Sequence, residues 1–128
     1  MEIIRSGAGE KHVGSPSQFV GEVHIMQLFR AQEGQPLQGA YVTFQPGARS
    51  NWHAHPMGQL LVVTLGRGRV GNAAGTVQLI RRGDVIWTPP NERHWHGADP
   101  TRRLTHLSIA AGAEWFGAVS DQQYRGSA

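Results

Sequence analysis

Apolar and polar residues alternate along much of this chain in short runs, with few long helical stripes. The stretches "VGEVHIMQLF" (20–29), "GAYVTFQ" (39–45) and "QLLVVTL" (59–65) read as strands. So do residues 68–72, "GTVQLI" (75–80), "DVIWT" (84–88) and "RLTHLSIA" (103–110). Turn signals separate them: "PGARS", "LGRG", "NAAG", "RRGD", "PPNE" and "ADPTR". Short strands at regular spacing predict an all-β antiparallel sandwich or barrel. Ala40, Val42, Phe44, Leu61 and Val63 fall on alternating positions, which predicts that they face its interior. The tail is different. In "AEWFGAVSDQQY", Ser120 is followed three residues later by Gln123, a capping-box pattern. One or two short helical turns are expected there, covering an end or an edge of the sheet.

Composition narrows this picture. A length of 128 residues predicts a single domain, 1–128. Without cysteine, disulfides, thiolate metal sites and thiol nucleophiles are excluded. The N-terminus lacks an apolar signal core, and no run reaches membrane length. A cytoplasmic protein with no membrane partner is therefore expected. The formal charge is +3, carried mainly by arginine. Those arginines are scattered through turns with no basic run longer than two, so no nucleic-acid partner is expected.

Histidine supplies the chemistry. Of seven, His53 and His55 form one H-x-H pair, and His94 and His96 another. On a strand, each pair shares a face. His106 shares parity with Leu104, Ser108 and Ala110. Two such pairs in a cysteine-free β chain predict a metal site, since imidazole suits first-row divalent metals. A proton-shuttling histidine cleft is the alternative. His12 and His24, each alone, read as surface or packing residues. Trp52 and Trp95 have opposite parity to the neighbouring histidines, which predicts packing against the barrel exterior or a subunit neighbour.

At these residues the sequence resembles a cupin. Gly47, five residues, His53-Ala54-His55, three residues, Gln59, six residues and Gly66 match the first cupin motif, with Gln in place of Glu. Gly83, five residues, Pro89-Pro90-Asn91, two residues and His94 match the second, with Asn91 at its Gly and Ala98 at its Asn. The resemblance implies a cupin β-barrel, an antiparallel jelly roll with its core at about 38–111.

More narrowly, "GAYVTFQPGARSNWHAHPMGQ", "GDVIWTPPNERHWHGA", "THLSI" and "QQYR" are similar to small bacterial cupins that act as (R)-selective hydroxynitrile lyases. That resemblance implies one divalent metal per subunit. Mn2+ is foremost, with Fe2+, Ni2+, Co2+ and Zn2+ compatible. The implied ligands are His53, His55, Gln59 and His94. His106 is the expected general base, with His96 assisting it or positioning cyanide. Ala40, Val42, Phe44, Leu61 and Ala110 are the expected substrate-binding residues. The substrate would be a cyanohydrin, or an aldehyde plus cyanide, and a homo-oligomer (dimer or tetramer) is expected. Another metal-dependent cupin enzyme (dioxygenase, lyase or isomerase) and a small-ligand-binding cupin are the alternatives. Three histidines and a glutamine leave the metal's +2 charge uncompensated, whereas a Glu ligand would lower it to +1. This favours Lewis-acid chemistry over oxygen activation.

Overall fold

In a computed structural model, which describes residues 1–126, the alternating stretches form two curled antiparallel sheets. The strands are β1 Glu10–Val13, β2 Phe19–Val20, β3 Val23–Phe29, β4 Gln38–Phe44, β5 Arg49–Ser50 and β6 His53–Ala54. They continue as β7 Gln59–Asn72, β8 Val77–Arg81, β9 Val85–Thr88, β10 His94–Ala98, β11 Leu104–Ala110 and β12 Glu114–Trp115. Among the described residues the one helix, α1, spans Asp121–Arg125. One sheet runs β1-β3-β4-β11-β7-β9, and the other holds β8, the far half of β7, β10, β5 and β2, with β6 on β10 and β12 on β6. The all-β jelly-roll expectation holds.

Two boundaries differ from the sequence reading. Residues 59–65 and 68–72 were expected as separate strands and form one, β7. Gly66 makes this possible. Its φ of 81° is a left-handed conformation that bends the strand from one sheet into the other. The stretch 20–29 instead splits into β2 and β3 around Gly21, at φ 86°. Strands β1, β5, β6, β10 and β12 escape the pattern because they are short or polar, and their partners hold them in place.

Between the sheets, Val23, Val42, Phe44, Val63, Ala98 and Leu104 form the main core. Phe44, Leu61 and Val63 are fully buried. Because they fill the interior at one end, the polar groups collect at the other.

The helix forms as the capping box predicts. The Gln123 backbone N–H donates to Ser120 Oγ (3.1 Å), and the Ser120 N–H donates to Gln123 Oε1 (3.0 Å). Five residues cannot hold a helix alone, so docking must. Tyr124 lies under the guanidinium groups of Arg49 and Arg69, at 4.8 and 5.0 Å, and its hydroxyl donates to the Ala98 carbonyl. Arg49 also donates to the Val119 carbonyl (2.7 Å) and to Asp121 Oδ1 (2.9 Å). Trp95, Val119 and Tyr124 make a second small core, with Trp52 packed against it. The helix therefore covers the outer face of the sheet, where an end or edge was expected. Trp95 and Trp52 pack on the exterior, as their parity predicts.

A side chain at position 66 would meet the Arg103 carbonyl oxygen at 1.9 Å. Gly66→Ala is expected to lower Tm by roughly 5–10 °C, from left-handed strain and overpacking together. A thermal melt monitored by circular dichroism checks this.

Candidate metal centre

Strand pairing assembles the site. β10 runs antiparallel to β6, with His94 directly opposite His53. β11 lies beside β7, placing Ala110 opposite Gln59 and Ser108 opposite Leu61. Asn91 helps deliver His94. Its φ is 64°, which Asn tolerates better than most residues, and its N–H donates to the His55 carbonyl (2.8 Å).

Three histidines are oriented in the same way. His53 Nδ1–H donates to the Asn51 carbonyl (2.9 Å), His55 Nδ1–H to that of Gly112 (2.6 Å), and His94 Nδ1–H to that of Glu92 (2.9 Å). Carbonyls only accept, so each neutral ring carries its proton on Nδ1 and leaves a bare lone pair on Nε2. This is how metal-binding imidazoles are usually presented. Gln59 joins them. Its Nε2 donates to Ser108 Oγ (2.9 Å), turning Oε1 toward His94 Nε2, 2.9 Å away. Two acceptors then face one another, and a cation between them offsets their repulsion. His55 Nε2 is buried without any partner. These observations fit a divalent metal held by His53, His55, Gln59 and His94.

The spacing also brings in His96. The donor atoms of His53, His94 and His96 lie within 4.8 Å of one another. The ring centres of His53 and His55 are 5.0 Å apart. His96 Nε2 is 3.2 Å from His53 Nε2, and His106 Nε2 is 2.9 Å from His96 Nδ1. His106 and His96 thus form a hydrogen-bonded pair next to the candidate ligands. Both rings pack edge-on or tilted against Phe44, at 5.3 and 5.8 Å.

A cavity of about 390 Å³ opens above this group, within the size range of small-molecule sites. Ala40, Val42 and Ala110 line it, as do His53, His55, Gln59, His96 and His106. Among the described residues, no carboxylate lines it. Phe44 and Leu61, expected as substrate-binding residues, are absent from its wall. Both have no exposed surface, and Phe44 packs against His96 and His106. Their inward parity is the same as that of the wall residues, but they sit deeper along the strands. His12, read as a surface or packing residue, is exposed at the cavity rim.

Several contributors escape the sequence reading. Trp115 stacks on His53 with ring centres 4.7 Å apart and planes at 28°. Pairing of β12 with β6 puts it there, and no sequence spacing signals that pairing. Ser50 Oγ accepts the His96 backbone N–H (3.1 Å). Ser108, which orients Gln59, is on the same strand face as His106, so parity is a signal that could find it.

Burial governs the electrostatics. It pushes His53 from 6.5 down to about 3, with charge on His94 adding to the effect. His94 and His106 fall to about 4, mainly through burial. His96 lies well below 6.5, from burial and then the neighbouring His106. His55 is lowered too, again by burial. All five are neutral at pH 7 and free to act as ligands or bases.

Comparison with known proteins agrees with this geometry. A model of the cupin domain matches residues 40–109. The chain is 45% identical over 130 aligned positions to an (R)-mandelonitrile lyase from Granulicella tundricola, covering 98% of this chain and 99% of the relative. The crystal structure of a cupin-like protein from Thermotoga maritima superposes with a TM-score of 0.84 at 37% identity, covering 98% of this chain and 96% of that one. A polyketide cyclase from Streptomyces resistomycificus, at 16% identity and a TM-score of 0.72, shares the fold over 98% of this chain and 91% of its own.

The depressed histidines predict how the metal-stripped protein responds to acid. Above pH 6.5 these groups are neutral in both folded and unfolded chains, so their stabilising effect is complete. Below it the unfolded chain binds protons first, and stability falls as pH drops toward about 4. Each such histidine contributes up to about 1.4 kcal/mol per pH unit. Urea unfolding of EDTA-treated protein at pH 7.5, 6.5 and 5.5 checks this: the midpoint is expected to change little at first and then drop steeply.

Proposed function

Because the chain belongs to the cupin domain family, we propose that its metal centre makes it a hydroxynitrile lyase. It cleaves (R)-cyanohydrins such as mandelonitrile to an aldehyde and HCN, and catalyses the reverse addition. The observation that carries this reading is the 45% identity to an (R)-mandelonitrile lyase along essentially both full lengths. The cavity supports it with a neutral donor set, a histidine pair and small apolar wall residues.

The residue roles follow from the chemistry. His53, His55, Gln59 and His94 hold one divalent metal, Mn2+ foremost. When bound, the metal supplies Lewis acidity that lowers the pKa of the substrate hydroxyl and polarises the carbonyl in the reverse direction. Ala40, Val42 and Ala110 receive the substrate's organic group. His106, kept neutral by burial, accepts the hydroxyl proton. The 2.9 Å contact between His106 Nε2 and His96 Nδ1 lets the two rings share the charge. As the C–C bond breaks, cyanide takes its electron pair, and the pair of histidines returns the proton to give HCN. Small cavity walls leave room for an aromatic or branched substituent. A cytoplasmic homo-oligomer is part of this reading.

Purified protein is expected to release cyanide from (R)-mandelonitrile with or without oxygen. EDTA should abolish the release and Mn2+ restore it; failure to release cyanide from several cyanohydrins with metal bound would overturn the proposal. His106→Ala is expected to lower kcat by roughly 100- to 10,000-fold with the metal retained. Gln59→Glu should bind Mn2+ more tightly and cleave more slowly. Unchanged cleavage at full metal occupancy would refute the role given to the uncompensated charge.

A further inference from the structure

The cavity has two polar ends. At one, His53, His55 and Gln59 gather at the metal centre. The other lies across the larger sheet, on β3, where Gln27 lines the wall. Register places it there. Gln27 is opposite Ala40, Ala40 is opposite Ser108, and Ser108 is opposite Leu61. β3 is thus three strands from β7, which carries Gln59. That is roughly 14 Å along the curled sheet, at about 4.8 Å per strand, and less across the cavity. Ile25, Ala40, Val42 and Ala110 make the wall between the two ends largely apolar.

Gln27 is held in one orientation. At a bulge in β3 between Gln27 and Phe29, its Nε2 donates to the carbonyls of Phe29 (2.9 Å) and Gly39 (3.2 Å). Carbonyls only accept, so turning the amide over would set oxygen against oxygen. Both amide hydrogens are therefore used, and among the described residues no donor reaches Oε1. The residue is half-buried. An apolar ligand that displaced water from Oε1 without replacing its hydrogen bond would bind at a cost. His12 and Gln38, also on this wall, are exposed instead.

We propose that Gln27 is a specificity-determining residue whose Oε1 accepts a hydrogen bond from a hydroxyl on the far end of the substrate's aromatic ring. The preferred substrates are then hydroxyaryl cyanohydrins and the corresponding aldehydes. The proposal rests on the lyase reading for placing the reacting carbon at the metal end. From there the ring lies along the apolar wall, and its far carbon points to β3. A site built to receive a hydroxyl discriminates against an analogue that lacks it, because its own polar group is left unpaired. A carboxylate at the same ring position would meet an acceptor flanked by two carbonyls and be rejected.

Isothermal titration calorimetry of the Mn2+-loaded protein with substituted benzaldehydes at pH 6 tests it. 4-Methylbenzaldehyde matches 4-hydroxybenzaldehyde in size, and 4-methoxybenzaldehyde matches it in electron donation to the carbonyl. Neither can donate a hydrogen bond. The hydroxy compound is expected to bind roughly tenfold more tightly than either. Gln27→Met, similar in volume but without an amide oxygen, should bring the three within about twofold of one another. Simple loss of packing would weaken all three alike and leave the preference in place. Gln27→Asn, which withdraws the amide by one carbon, takes its place if Gln27→Met misfolds by circular dichroism. Equal binding of the three by wild type overturns the proposal. So does a preference that survives in the folded variant, or binding of none of them. Cyanide release by wild type separates the two readings. Release from (R)-mandelonitrile without any hydroxyl preference in binding overturns only the role of Gln27. A hydroxyl preference that the variant loses, with no cyanide released from any cyanohydrin, overturns only the lyase assignment.

Discussion

Register between β6 and β10 sets His53 across from His94, and the centre depends on that pairing. A slip of one residue would turn His94 outward and carry Trp95 into the cavity. The pairing is brief, so its surroundings hold it. Carbonyls of Asn51, Glu92 and Gly112 fix three rings, and Trp115 covers one of them. Tyr124 and Arg49 fasten α1 to the back of the same sheet. Trp95, the neighbour that must face away from the cavity, is thereby given an apolar site outside it.

Neutrality is the second constraint. Five imidazoles are buried beside one another in a volume where a charge on one disfavours charge on the next. With no carboxylate on the cavity wall, only carbonyl and amide oxygens favour an imidazolium there, and burial outweighs them. The same surroundings therefore keep lone pairs available for a cation and keep His106 in its basic form. Gln59 suits this environment better than Glu would: its amide is neutral, and Ser108 settles which end of the amide faces His94.

Much of this was legible in the sequence. Alternation exposed β3, β4, β9, β11 and both halves of β7, and the capping box pointed to a short helix in the tail. The H-x-H pairs pointed to a metal, and the two cupin-like motifs tied them to one barrel. What stayed hidden depends on long-range pairing. β7 reads as two strands because the pattern pauses at Gly66, yet the backbone continues through it. Phe44 and Leu61 share parity with the cavity wall, and parity does not report depth. Trp115 reaches His53 only because β12 returns to β6 after a long excursion. No local preference encodes that return.

The unbroken course of β7 bears on how anything gets in or out. Sandwich proteins with separately anchored sheets can part like a hinge, but here fourteen residues of one strand belong to both layers. Its near half carries β11 and its far half carries β10, so the backbone through Gly66 ties the two layers together. The cavity mouth is framed by layers joined in this way, with side chains such as His12 at its rim. Passage through such a mouth depends on diffusion and rotamer exchange, so the rim as well as the floor meets substrates of different bulk.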